Sequence, residues 1–259
     1  MKNIINTKIL LTLSLASLFV ACGGSSNSSS SSSSSSGQGG SMARFAISGD
    51  YLYTINEREM NILEIKDASK PKKVSKIHVP FDVETLFSYK NTLYVGSNSG
   101  MYIYDKSTPT QPTRIAEFTH AQSCDPVVVA DDVAYVTLNQ GSQCWMGRGG
   151  ANRLEIVDVK TPSSPKFIKA VDMFEPSGLG VDGNNLFICD GSNGLRVYNI
   201  SKKDNNGSVD ISLTPKESLA DIDCYDVIAQ NKHLIISNEK NIRQFSYETF
   251  PMEELGQIK

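Results

Sequence analysis

The stretch RLEIVDVKTPSSPKFIKAV, Arg153–Val171, contains an alternating apolar run, an aspartate, a Pro-x-x-Pro turn and a second alternating run. The stretch GMYIYDKSTPTQPTRIAEF, Gly100–Phe118, has the same features in the same order. An apolar residue at every second position is typical of a β-strand, and proline cannot donate a hydrogen bond within a sheet. Each stretch therefore predicts two strands joined by a turn, and their likeness indicates a repeat.

The repeat extends over the chain as five dipeptides at one recurring strand position, spaced by 41, 41, 52 and 48 residues. Insertions at 139–152 and 202–215 account for the two longer intervals. Periods of this size are typical of propeller blades or helical arrays, and the short runs alternate with the period of a strand. The sequence therefore predicts an all-β propeller of five blades with four antiparallel strands each. The recurring dipeptides are Leu52-Tyr53, Leu93-Tyr94, Ala134-Tyr135, Leu186-Phe187 and Leu234-Ile235.

An acid and a proline recur in the predicted connection between the third and fourth strands. The pairs Asp67 and Pro71, Asp105 and Pro109, and Asp158 and Pro162 are equally spaced. Aspartate favours a turn through its side-chain hydrogen bond, and proline interrupts a strand. We therefore expect the three pairs to mark the turn between the third and fourth strands of their blades.

The segment LEIVDVKTPSSP resembles the LVIVD repeat of bacterial β-propeller proteins, and segments such as CDPVVVADDVAYVTL are similar to extracytoplasmic lipoproteins that carry this repeat. The resemblance implies a propeller in the cell envelope and implies no reaction. Such proteins often have Pro-His-Gly where this chain has Pro176-Ser177-Gly178, so the chain lacks that imidazole.

The first 21 residues have the charge and length of a secretory signal, with lysines ahead of a short apolar run. The following FVAC resembles the lipobox of bacterial lipoproteins, which makes Cys22 the expected lipidated residue. We predict a disordered Ser/Gly tether through residue 42 and the propeller over 43–259. The blades should span about 43–82, 83–124, 125–176, 177–224 and 225–259. The protein would then be lipid-anchored in the envelope, most simply at the outer membrane.

Charge excludes one class of partner. The formal net charge is −3, and loss of residues 1–21 would remove two lysines and no acid, which changes it to −5. Clustered Lys and Arg are needed to neutralise phosphates, and no such cluster occurs. Nucleic acid is therefore not an expected partner.

Four cysteines follow Cys22, and the repeat numbering collects them on one side of the ring. We predict disulfides between Cys124 and Cys144 and between Cys189 and Cys224. The alternative for each is a small buried apolar side chain. No Cys-x-x-Cys or His-x-x-x-His spacing occurs, so neither a metal site nor a cofactor is predicted.

The residues before each innermost strand are predicted to form a rim at the channel mouth, where propellers commonly bind ligands. Acids there could form a binding funnel, or they could simply cap turns and solvate the rim. Trp145, in an insertion, either recognises a ligand or packs on the nearby disulfide. Arg44 and Asp226 hold equivalent positions in the first and last blades, where opposite charges would meet at the seam of a closed ring. The candidate rim residues are Arg44, Asp82, Glu84, Asp125, Trp145, Glu175, Asp223, Tyr225 and Asp226.

Two functional classes follow from this pattern. The first is a non-catalytic binding or scaffold module for a protein or glycan. The second is a glycan-active hydrolase or lyase, because pairs of carboxylates carry out glycoside hydrolysis. Two carboxylates across an open pocket would favour the enzyme, whereas acids neutralised by arginine or lysine would favour the binding module.

Overall fold

A computed structural model describes residues 39–56, 58–80, 82–119, 126–140, 151–205 and 207–259. Cys22, Cys124, Cys144, Asp125 and Trp145 lie outside these ranges. None of the helical structure within them has the length and hydrophobicity that a membrane span requires.

The domain consists of five four-stranded antiparallel sheets, and in each sheet the order in space follows the chain. The first sheet contains β1 (Phe45–Ser48), β2 (Tyr51–Asn56), β3 (Glu59–Glu64) and β4 (Lys72–His78). The second contains β5 (Val83–Tyr89), β6 (Thr92–Ser97), β7 (Gly100–Asp105) and β8 (Thr113–Thr119). The third contains β9 (Val127–Ala130), β10 (Val133–Leu138), β11 (Arg153–Asp158) and β12 (Lys166–Asp172). The fourth contains β13 (Pro176–Asp182), β14 (Asn185–Asp190), β15 (Leu195–Asn205) and β16 (Ser208–Leu219), with a short 3-10 helix at Gly191–Asn193. The fifth contains β17 (Asp226–Gln230), β18 (His233–Ser237), β19 (Ile242–Ser246) and β20 (Glu253–Ile258).

These sheets are the five blades of a β-propeller, which confirms the predicted fold class. The recurring dipeptides all lie in the second strand of a blade, as the repeat requires. Tight turns join the first and second strands, and residues with positive φ occupy them: Gly49, Lys90, Asp131, Gly183 and Asn231. Asp131 and Asp132 both have positive φ, at 50° and 62°, as a two-residue hairpin turn demands.

The predicted Asp-to-Pro segments lie in the connections between third and fourth strands of the first three blades, as expected. Asp67 and Asp105 each accept a hydrogen bond from the backbone N–H two residues later. The backbone bonds that open these connections come from the N–H groups of Ile65 and Lys106, so Asp67 lies three residues later in its blade than Asp105 in the next. The turn is therefore offset between the first two blades, and the first blade has Glu64 at the position of Asp105.

The backbone hydrogen bond from the Lys106 N–H to the Asn91 carbonyl identifies an unexpected buried charge. Lys106 occupies the place that an isoleucine or valine fills at residues 65, 159 and 200, and it is 6% exposed. Its ammonium donates to Ser48 Oγ at 2.9 Å and to the carbonyl of Lys90. Burial lowers the pKa of Lys106. Lys106 is therefore a buried lysine between the first and second blades.

Apolar clusters join each blade to the next along the chain. Tyr53 of the first blade shares a cluster with Leu93 of the second, and Phe187 of the fourth packs against Tyr247 of the fifth at 4.8 Å between ring centroids. Two further clusters join the second blade to the third and the third to the fourth. Stacked sheets that bury both faces explain the nearly continuous apolar strands.

The seam between the fifth and first blades differs from the other four boundaries. Among the described residues, no apolar cluster joins these two blades. On the first blade Phe45 is 49% exposed, and on the fifth blade Ile242 and Ile258 are 41% and 63% exposed. The apolar faces that meet at this boundary are therefore only partly covered.

A disulfide joins the fourth and fifth blades. It connects Cys189, in β14, to Cys224, just before β17, with 5.2 Å between their Cα atoms. This confirms the predicted pairing across a blade boundary. The second predicted pair, Cys124 and Cys144, lies outside the described residues and stays a prediction.

Candidate functional site

The predicted rim lies where the innermost strands β1, β5, β13 and β17 begin, and we call this side of the channel the entry side. Arg44 immediately precedes β1, Asp82 and Glu84 flank the first residue of β5, and Tyr225 and Asp226 lead into β17. Side chains from three blades therefore converge there.

Four of these side chains act on one another electrostatically, and we call Arg44, Glu84, Tyr225 and Asp226 the rim group. Burial raises the pKa of Glu84, which the Arg44 guanidinium partly offsets and Asp82 reinforces. Burial also raises the pKa of Tyr225, helped by Asp226 and Glu84 and opposed by Arg44. Tyr225 is nevertheless 51% exposed, so the rim group presents an aromatic ring to solvent.

Asp226 is the most enclosed member of the rim group. Its Oδ1 accepts hydrogen bonds from Ser41 Oγ and from the Val227 N–H, both at 2.9 Å. Its Oδ2 accepts a hydrogen bond from the Met42 N–H at 3.3 Å. The Ser41 hydroxyl in turn accepts from Leu179 N at 2.8 Å. Burial outweighs these bonds and raises the pKa of Asp226 to about 6. Asp226 therefore fastens the start of the domain to the fourth and fifth blades.

Two glycines allow this close approach. A Cβ at Gly178 would lie 2.3 Å from Asp226 Oδ1, and one at Gly40 would lie 2.0 Å from Asp226 Oδ2. Gly178 also donates its N–H to the carbonyl of Tyr225 at 2.9 Å. The Ser177 side chain donates to the same carbonyl at 3.0 Å, so Ser177 and Gly178 both support the backbone just before β17.

The remaining predicted acids have partners of their own. The Asp82 carboxylate accepts from Asn98 Nδ2 at 3.1 Å, and the N–H of Glu175 donates to Asp190 Oδ1 at 3.1 Å. Asp223 is exposed, and its carbonyl accepts from Asn238 Nδ2 at 3.0 Å. Within the described part of the chain, no hydrogen bond or ion pair connects Glu175 or Asp223 to the rim group. The acids thus have local roles in turns as well as a shared position.

The predicted meeting of Arg44 and Asp226 at the seam is not a direct contact. Asp226 bonds to Ser41 and Met42 instead, and the charges that act on Arg44 are those of Glu84 and Tyr225. No ion pair between Arg44 and Asp226 occurs among the described residues. The repeat numbering identified two neighbouring blades, but it could not show that the chain before β1 fills the space between them.

A concavity of about 660 Å³ opens beside Arg44 on the first blade. Its lining is rich in cationic and hydrogen-bonding side chains, and its single acid, Glu59, is bound by Lys76 at 2.6 Å. The concavity therefore extends the rim group with groups that favour anionic or hydroxyl-bearing ligands. Its lining residues are Arg44, Asn56, Arg58, Glu59 and His78.

Two cavities that the sequence did not predict lie along the innermost strands. The channel cavity has about 300 Å³ and is lined by residues of the first four blades, from Gly39 and Phe45 to Val181. The hairpin cavity has about 340 Å³ and lies beneath the base of the β15–β16 hairpin, which supplies Ile200 and Lys202. The recognisable signal was the insertion at 202–215, which lengthens this hairpin. No group of three or more potential metal ligands occurs among the residues that the structure describes.

Comparison with known proteins supports the repeat and the fold. The LVIVD repeat family matches residues 39–78 and 149–173, which cover the first blade and the outer half of the third. No curated protein matches the chain. Because this match covers a minority of the sequence, it identifies the repeat and not the family of the whole chain.

Several solved structures share the propeller architecture. A functionally unknown protein from Desulfotomaculum acetoxidans has a TM-score of 0.59 at 13% identity, over 81% of this chain and 68% of that one. A protein from Lactobacillus plantarum has a TM-score of 0.60 at 12% identity, over 80% and 67%. A periplasmic gluconolactonase from Pseudomonas aeruginosa has a TM-score of 0.56 at 12% identity, over 81% and 67%. At such low identity these likenesses show the fold alone.

Proposed function

We propose that this protein is a lipid-anchored extracytoplasmic binding module that recognises a glycan or protein through the rim group without catalysing a reaction. The observation that carries the proposal is the half-exposed Tyr225 ring, flanked by Glu84 and Arg44 and next to the concavity on the first blade. An aromatic ring with an apolar face and a polar end is well suited to binding surfaces. Carboxylate and guanidinium groups beside it can bond to hydroxyl and carboxylate groups of a sugar or peptide.

The state of the carboxylates favours binding over catalysis. Asp226 already accepts bonds from Ser41 and Met42, and the charge of Glu84 is opposed by Arg44. A glycosidase needs two carboxyl groups that are free to flank the scissile bond. The rim group offers one accessible carboxyl, which suits recognition.

Binding is tested with the purified domain on an array of bacterial envelope glycans and by crosslinking in intact cells. Replacing Arg44 or Tyr225 by alanine should weaken retention of any ligand at least tenfold. The matched control is Phe167→Ala, which removes an equally exposed ring from β12, far along the chain from the rim. Equal losses in the rim variants and the control would contradict a rim site.

The lipid anchor is tested separately. We expect Cys22→Ser to release the protein from membranes, because acyl chains contribute about 0.8 kcal/mol per buried CH₂. Unchanged membrane fractionation together with an unchanged N-terminal mass would contradict the anchor and leave the binding site untouched.

The alternative function is a glycan-active hydrolase or lyase. It is favoured by one observation, that Glu84 and Asp226 both have raised pKa values within the rim group. Turnover of polysaccharides or sugar lactones that disappears in Glu84→Gln, with binding retained, would support this alternative over the binding module.

A further inference from the structure

The channel cavity and the hairpin cavity are neighbours that share part of their walls. Ala130, Asp131 and Val181 line both of them. Each has a volume at the lower end of the range of about 300–1,000 Å³ that is typical of small-molecule sites. The end of β9 therefore separates two compartments that one small molecule can occupy together.

Part of the channel cavity's wall is apolar. Its wall includes Phe45, Leu86, Phe87 and Val129, and Phe45 keeps about half of its surface exposed. Transfer of apolar surface out of water contributes about 25 cal/mol per Å². A ligand with an apolar side chain of the size of leucine or phenylalanine would cover this surface.

The hairpin cavity offers two opposite charges. Lys202 donates to the backbone carbonyl of Asp131, while no ion pair joins the ammonium of Lys202 to the carboxylate of Asp131 among the described residues. The nearby acids are already bound: Asp132 by Lys90 at 2.6 Å, and Asp182 by the Tyr247 hydroxyl at 2.7 Å. Asp131 and Lys202 thus bring one acidic and one basic residue to the wall of the hairpin cavity, and Asp131 also lines the channel cavity.

We propose that the two cavities form one binding site for a small zwitterion with an apolar side chain, of which a free apolar α-amino acid is the simplest example. The side chain occupies the channel cavity against Phe45 and Phe87. The ligand's ammonium pairs with the Asp131 carboxylate, and its carboxylate pairs with Lys202. This site contains no residue of the rim group, so its test does not depend on the function proposed there.

The experiment is calorimetric titration of the purified domain with three related probes. L-phenylalanine carries both charges, phenethylamine lacks the carboxylate, and 3-phenylpropionate lacks the ammonium. We expect L-phenylalanine to bind up to about fivefold more tightly than either analogue, because pairing with an exposed charge contributes at most about 1 kcal/mol. Equal affinities for the three probes, or no heat from L-phenylalanine at concentrations on the order of 10 mM, would overturn the proposal.

Variants locate the binding. Asp131→Asn should remove the advantage of L-phenylalanine over 3-phenylpropionate, and Lys202→Met should remove its advantage over phenethylamine. Both residues are exposed, so these variants should fold. Lys203→Met, one residue along the same strand and absent from both cavities, is the matched control. Selectivity that survives both Asp131→Asn and Lys202→Met would refute the assigned charges.

Discussion

Replacing Asp226 by asparagine should change how the stability of the domain depends on pH. The pKa of Asp226 is raised from an ordinary value of 3.8 to about 6, chiefly by burial. At 1.36 kcal/mol per unit, this corresponds to about 3 kcal/mol. An acid with a higher pKa in the folded state binds more protons when folded, so its contribution to stability falls as pH rises between the two values. For Asp226 the loss runs from about pH 4 to pH 6 and is complete above that range.

Asparagine keeps the carbonyl that accepts from Ser41 but turns an amide toward the Met42 N–H, which costs about 1 kcal/mol at every pH. The free energy of unfolding, measured with urea at pH 4 and pH 7.5, should therefore shift in favour of Asp226→Asn by about 2–3 kcal/mol between the two conditions. Asp223→Asn, an exposed acid three residues earlier, should show no such shift. If the difference between Asp226→Asn and the parent protein is the same at both pH values, the buried carboxylate does not carry the effect.

Three further outcomes follow from the packing. Gly178→Ala should destabilise the domain by about 1–3 kcal/mol in urea denaturation, because its Cβ would lie 2.4 Å from the Asp226 Cα, whereas Gly256→Ala, with open space around it, should not. Replacing both cysteines of the Cys189–Cys224 pair by serine should cost about 4 kcal/mol, since the bridge closes a loop with a sequence separation of 35; an unchanged melting temperature would contradict this. Lys106→Glu should be more destabilising than Arg44→Glu in the same assay, because Lys106 is buried and Arg44 is exposed, and the reverse order would refute the placement of Lys106.

The fold could be predicted because the strands of each blade follow from local sequence patterns. Alternation, turn residues and a constant interval between dipeptides such as Leu52-Tyr53 and Leu93-Tyr94 depend only on neighbours within one blade. The pairing of Cys189 with Cys224 followed from the same numbering, because the end of a second strand and the start of a first strand lie on the same rim of the ring. Features that repeat are thus readable without a structure.

Features that occur once were not readable. Lys106 replaces an apolar residue of the repeat, but its burial depends on Ser48 in the neighbouring blade and on a carbonyl within its own. The repeat numbering placed Arg44, Glu84 and Tyr225 on one rim, but which rim residues act on one another depends on how the blades are oriented about the channel. The hairpin cavity depends on the unequal length of a single hairpin, β15–β16, which supplies part of its wall.

The seam between the last and first blades shows why a repeat predicts a ring better than it predicts how the ring closes. Strand alternation places apolar side chains such as Ile235 and Leu52 on both faces of every blade, whether or not a neighbour covers them. At four boundaries the facing side chains share a cluster, but at the seam the chain before β1 takes part instead. Ser41 bonds to Asp226 and Leu179, and the carbonyl of Ala43 accepts from Leu86. The described contacts that close the ring are thus polar and centre on the buried carboxylate of Asp226. Titration of this carboxylate should therefore change the stability of the seam.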